Sequence, residues 1–141
     1  MKKLKQPNVY SYECSVYPVE LDILFDTSRI DYLNTTYSCP KDPDAVFDYE
    51  DSDAYGYTYD QLMNNTTHKR TVLVVFDGIP NAPQMAHESF HVMNGIFKEV
   101  GLEFNYGYSA GNEHLAYLIQ WSVECMCDAI NKEKKCKKKT K

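Results

Sequence analysis

The run Thr71-Val72-Leu73-Val74-Val75-Phe76 restricts the fold more than any other segment of the chain. It is β-branched and apolar without interruption, the composition of a strand buried on both faces. The turn Asp77-Gly78-Ile79-Pro80-Asn81 follows it. Asn81 can cap a helix, and Pro83 suits the first turn of one. This helix is predicted to run to about Val100 and to stop at Gly101. A second helix is predicted from about Asn112 to about Asn131, after a loop over residues 105–111.

Upstream, residues 9–25 alternate apolar and polar side chains, as in Val19-Glu20-Leu21-Asp22-Ile23. A period of two predicts two short strands, broken near Pro18. Asp26-Thr27-Ser28 can cap a short helix to about Asn34. Residues 38–60 show no clean period and read as a long loop with room for a strand or hairpin, of the kind that can cover a cleft. Its acidic stretch Asp48-Tyr49-Glu50-Asp51-Ser52-Asp53 lacks the Gly and the terminal Glu of a calcium loop. The expected fold is α+β: a small, mostly antiparallel sheet with two long helices on one face. With 141 residues the chain fits one domain, placed at residues 1–131, followed by a Lys-rich tail over residues 132–141 expected to be disordered.

The chemistry-bearing segment is His87-Glu88-Ser89-Phe90-His91. In the first long helix, Ala86, Phe90, Met93, Phe97 and Val100 recur at steps of three and four and are expected to form the apolar stripe. His87 and His91, four apart on the edge of that stripe, stand one above the other. Two imidazoles so placed can grip one small cation. Glu88, one position on, is expected to turn aside from the two ligands and to serve as a base towards water. A zinc site needs a third ligand. Glu113, 22 residues after His91 and at the start of the second helix, is the best donor, with His114 as its rival. On that helix Leu115, Ile119, Val123, Met126 and Ile130 are expected to be buried. His68, in the polar run before the strong strand, is expected at the surface.

His87-Glu88-Ser89-Phe90-His91 followed by Asn112-Glu113 resembles the zincin metallopeptidases, and within them the branch whose third ligand is a Glu on a second helix. The strand before the helix, Ala86, and the segment Gly111-Asn112-Glu113-His114-Leu115-Ala116-Tyr117 are also similar to small uncharacterised zincin-like proteins of bacteriophage genomes. The resemblance covers residues 72–130. It implies zinc held by His87, His91 and Glu113, with Glu88 as general base, a peptide or protein substrate, and a strand near the cleft along which substrate adds. The chain departs from the larger members of the family. Only 28 residues follow Glu113, so an oxyanion-stabilising group from a later subdomain is not expected. Tyr106, Tyr108 and His114 are the candidates for that role. Where many relatives carry an Asp four positions after the third ligand, this chain has Tyr117.

Charge and cysteine usage narrow the setting. The tail holds seven Lys and one Glu, or +6, so the whole-chain charge of −5 leaves −11 on the remainder. An acidic body argues against nucleic-acid binding except through the tail. Five cysteines, an odd number, with no apolar stretch after the basic N-terminus, are expected to be reduced thiols in a cytoplasmic setting, the host-cell cytoplasm or, if the chain is phage-encoded, the virion. Cys125 and Cys127 are two apart, so on a helix they face nearly opposite sides. No apolar run is long enough to span a membrane. Three functions fit these residues: a zinc hydrolase, most simply a peptidase; a catalytically inactive zincin-like structural or assembly protein with an assembly partner; and a metal-free binding module.

Overall fold

The computed structural model describes residues 6–48, 54–102 and 109–140, with the side chains of residues 109–112 excepted. Strands β1 (Val9–Glu13) and β2 (Glu20–Leu24) come first, then helix α1 (Ile30–Thr36) and the two-residue strand β3 (Tyr37–Ser38). Strands β4 (Gly56–Asn64) and β5 (Arg70–Phe76) and helices α2 (Ala82–Glu99) and α3 (Ser109–Lys139) follow. The sheet order is β1-β2-β5-β4-β3. All pairings are antiparallel except the central one, in which β2 and β5 run parallel. The class is α+β, as expected.

The central strand is buried as its composition requires: residues 72–76 are all fully buried. Alternate side chains serve two cores. Leu21, Ile23, Val72, Val74 and Phe76 meet α2 and α3 on one face. Leu24, Leu73 and Val75 meet Leu33, Tyr37, Phe47 and Leu62 on the other. The two long helices share one face, and the smaller cover of α1 and residues 37–47 accounts for the burial of β5 on its second face.

The segment read as loop contains the nine-residue strand β4. Tyr59 and Leu62 both belong to the α1-side core although they are three positions apart. Strict alternation would put them on opposite faces. A register shift between them, with Gln61 at φ 58°, restores the phase.

Helix α2 begins with a reciprocal cap. The Gln84 N–H donates to Asn81 Oδ1 at 3.0 Å, and the Asn81 N–H donates to Gln84 Oε1 at 2.9 Å. It ends at Glu99 with Val100 as its C-terminal cap, followed by Gly101 at φ 71°. It runs back along β5, so that Arg70 at the start of β5 reaches Glu99 at 2.8 Å. It packs on β4 and β5. Helix α3 lies beside α2 and spans β2 and β1: Tyr12 donates to Asp128 and Tyr10 donates to Glu133, each at 2.7 Å. Its N-terminal end is at the β1–β2 turn, where Ser15 meets Tyr117 and Tyr17 meets His114. The two helices are therefore antiparallel.

Two expectations change. Helix α3 continues through Lys139, so most of the supposed disordered tail is helical. Glu133, within that tail, is buried against β1 and anchors the extension. The buried stripe of α3 is also rotated: Leu118, Ser122, Cys125 and Ala129 are buried with Leu115, Met126 and Ile130, while Ile119 and Val123 are half-buried. Cys125 and Cys127 separate as their spacing predicts, one buried and one exposed. Burial pushes the Cys125 thiol up to about 12. Among the described residues no helix is long and apolar enough to cross a membrane.

Candidate functional site

Helix α2 is rotated from the stripe expected of it. Ala86 and Phe90 are exposed, and the buried positions are Glu88, Ser89, Val92, Met93, Gly95, Ile96 and Phe97. Two polar residues can face inward because each has a partner. The Ser89 hydroxyl donates to the Ala86 carbonyl at 2.7 Å. Glu88 Oε2 accepts from the Thr58 hydroxyl of β4 at 2.5 Å. Glu88 is only 6% exposed, so this bond replaces much of the water that a carboxylate requires.

Gly56 makes the inward position of Glu88 possible. A Cβ on Gly56 would lie 3.1 Å from Glu88 Cγ, from Glu88 Oε1 and from Phe76 Cδ1. Two turns further on, Gly95 allows an equally close approach to the strand: its Cβ would lie 2.8 Å from Asp60 Cβ. Thr58 and Asp60, alternate residues of β4, thus face α2, and Asp60 accepts from Lys98 at 3.0 Å.

His87 and His91 are exposed on this same β4 flank of α2, in the row that continues to Gly95. Their Nε2 atoms are 3.2 Å apart, with ring centroids at 4.9 Å and an interplanar angle of 70°. Without a cation one ring can donate to the other. Two imidazole nitrogens bound to one tetrahedral zinc, each at about 2.0–2.1 Å, stand roughly 3.3 Å apart. The pair is therefore spaced for a shared ion as it stands. A groove of about 360 Å³ lies beside it, between residues 54–56 and the first turn of α2, and is lined by His87 and Glu88.

Glu113 does not join this group. It is exposed near the start of α3, at the Arg70 end of the sheet, whereas His87 sits at the Phe76 end. The length of β5, about 20 Å, separates these ends. The flanks differ as well, since α3 packs on the side of α2 away from β4. His114 shares that distance: its Nδ1 lies 3.5 Å from the Tyr17 hydroxyl and its ring against that tyrosine. Among the described residues no three His, Cys, Asp or Glu side chains converge so as to hold a metal ion. The donor set implied by the resemblance thus fits in His87 and His91, with Glu88 adjacent, and does not fit at Glu113. Tyr106 and Tyr108, and most of the acidic stretch from Asp48 to Asp53, lie outside the described residues. His68 is exposed as expected, at φ 57°.

Sequence reasoning missed Thr58 and Gly56. The signal available was faint: a glycine and a threonine two apart, in a segment whose period is broken by a bulge.

Compared with family models, with curated proteins and with solved structures, the chain matches none.

Proposed function

We propose that this chain is a zinc-binding protein of metallopeptidase type, with His87 and His91 as ligands and Glu88 as the acid–base group. The observation that carries the reading is the 3.2 Å spacing of the two Nε2 atoms on one rigid helix, beside a carboxylate fixed by Thr58. Zinc at such a site supplies Lewis acidity towards a carbonyl oxygen and towards water. The chain's own contribution is the orientation of Glu88. Thr58 occupies Oε2, which leaves Oε1, lying over Gly56, as the oxygen free to take a proton from water and return it to a leaving amine. β3 pairs with β4 only at Met63 and Asn64, so among the described residues no strand covers the earlier part of β4. An extended peptide added there would pass Thr58 and lie close to Glu88.

A second reading is favoured by the position of Glu113. With α3 contributing no donor, the protein would hold zinc without turnover and serve in assembly. One experiment separates the two. Zinc content is measured by mass spectrometry on untagged chain, beside His87→Ala and His91→Ala, and cleavage of a mixed fluorogenic peptide set is followed for wild type and Glu88→Gln. Zinc with turnover that is lost in Glu88→Gln supports the peptidase. Zinc without turnover, and a melting temperature that falls on chelation, supports assembly. A wild type that takes up no zinc even when supplied with it ends both readings.

A further inference from the structure

We infer that the outward face of the last two turns of α3 binds the phosphodiester backbone of nucleic acid without reading its sequence. Residues 132–139 hold six lysines and a single acid, Glu133. On a free tail these charges would have no common direction. The fold instead fixes how the helix end is turned. Glu133 is buried, accepting from the Tyr10 hydroxyl at 2.7 Å and from the Asn8 amide at 3.4 Å. Two of the lysines are engaged by the chain itself. Lys132 pairs with Asp128 at 2.5 Å and lies 5.2 Å from the centre of the Tyr12 ring, and Lys137 pairs with Glu133 at 3.6 Å.

The other four point away from the body. At about 100° per residue, Lys134, Lys138, Lys135 and Lys139 fall within an arc of about 140°, and Glu133 lies opposite its middle. All four are exposed, and among the described residues none forms an ion pair. They set four positive charges on about 8 Å of helix. Lysines of the last turn alone would serve the negative end of the helix dipole, and Lys134 and Lys135 precede it. The chemistry of the face selects the partner. It carries no aromatic or apolar side chain, since Ala129 and Ile130 are buried beneath the helix. It therefore has nothing to insert into a bilayer and no apolar centre for a protein interface. A row of point charges suits a polyphosphate, whose condensed counterions it displaces. The whole-chain charge of −5, with +6 on residues 132–141, leaves −11 on the remainder, which repels a polyanion and confines contact to this end.

The test is fluorescence anisotropy of a labelled duplex DNA of mixed sequence, titrated with the full chain at several salt concentrations. Wild type is expected to bind at low salt, with log affinity falling against log salt at a slope of about −3 to −4, the value for four phosphate contacts. Two variants remove equal charge from the same helix. Lys134→Gln with Lys138→Gln is expected to weaken binding by about tenfold and to reduce the slope by about 2. Lys132→Gln with Lys137→Gln, which removes lysines already paired, should stay within about twofold of wild type. Circular dichroism checks the helix in both. Should the second variant lose helix, Lys41→Gln with Lys98→Gln takes the same charge from elsewhere in the chain. An equal loss in the outward variant and its control overturns the assignment to this face, and a wild type that ignores DNA at low salt overturns it outright. Tighter binding to phosphatidylserine vesicles than to DNA at equal salt would give the face to lipid instead. A dimer at low salt that dissociates in the outward variant would give it to the acidic body of a second copy. Either result overturns the nucleic-acid assignment.

Discussion

The Thr58 hydroxyl donates to Glu88 Oε2 at 2.5 Å, tying the inner face of β4 to the helix that carries both histidines. Glu88 is 6% exposed, so losing this donor leaves a buried acceptor short of a partner. Thr58→Val, which keeps the shape and removes the hydroxyl, is expected to destabilise the fold by about 1–3 kcal/mol. Thr58→Ser should recover most of that. Urea unfolding of the two variants beside wild type is the measurement. Equal stability of Thr58→Val and wild type would show that the bond contributes nothing.

Gly95 sets two effects against each other. Alanine is the better helix former by about 1 kcal/mol, which alone would favour Gly95→Ala. Its Cβ, however, would meet Asp60 Cβ at 2.8 Å and Val72 Cγ2 at 3.3 Å. The first is the root of a strand side chain and the second is fully buried, so neither yields freely. Overpacking costs about 1–3 kcal/mol and should win. Net destabilisation is expected, with a smaller effect on the far end of the sheet. A more stable Gly95→Ala in chemical denaturation would mean that α2 can lift from β4 at little cost.

How far these features could be read from sequence differs by element. β5, the cap and stop of α2, and the strands β1 and β2 were legible because each is specified by neighbouring residues: β-branched runs, Asn81 with Pro83, Gly101, and alternation about Pro18. β4 was not, because the bulge at Gln61 shifts its phase midway and Thr58 and Asp60 face a helix while looking like surface residues. The rotation of α2 was hidden for the same reason. A glutamate counts as polar in any periodicity, and only the Thr58 hydroxyl across the sheet shows why Glu88 turns inward. His87 and His91 were legible as a pair because four-residue spacing is local. The place of Glu113 depended on which flank of α2 receives α3, and that is decided by tertiary packing.

The C-terminal extension offers a test of domain extent. Tyr10 donates to Glu133 at 2.7 Å, and burial with this carboxylate pushes the Tyr10 hydroxyl above its ordinary value. Asn8 also reaches Glu133, at 3.4 Å. Truncation after residue 131 removes that anchor and should cost about 1–3 kcal/mol, whereas truncation after residue 137 should cost little. Thermal unfolding of the two truncations decides it. If both melt with the full chain, the helical extension adds no stability and the domain ends near residue 131.

Asp22 gives a pH dependence with a definite sign. It lies on the central part of β2, 1% exposed, with Oδ2 accepting from the Tyr37 hydroxyl at 2.6 Å and Oδ1 without a partner. Burial is the largest cause raising its carboxyl above the usual 3.8; the nearby Ser11 hydroxyl and the bond from Tyr37 oppose that, and neighbouring Glu20 adds to it. A folded-state value above the unfolded one means that the folded chain holds the proton more tightly. The stability contributed by protonated Asp22 is therefore complete below the unfolded value and is lost as pH rises through the folded one. Asp22→Asn removes that loss and retains an oxygen to accept from Tyr37. The variant is expected to be more stable than wild type at neutral pH, with the advantage shrinking as the pH is lowered towards the ordinary carboxylate range. Exposed carboxylates shifted the other way, such as Glu13 beside Lys69 and Asp128 beside Lys132, are present in both chains and cancel in the difference. Urea midpoints of wild type and Asp22→Asn across acid to neutral pH measure it. A stability difference that does not change with pH would mean that Asp22 keeps the same protonation folded and unfolded.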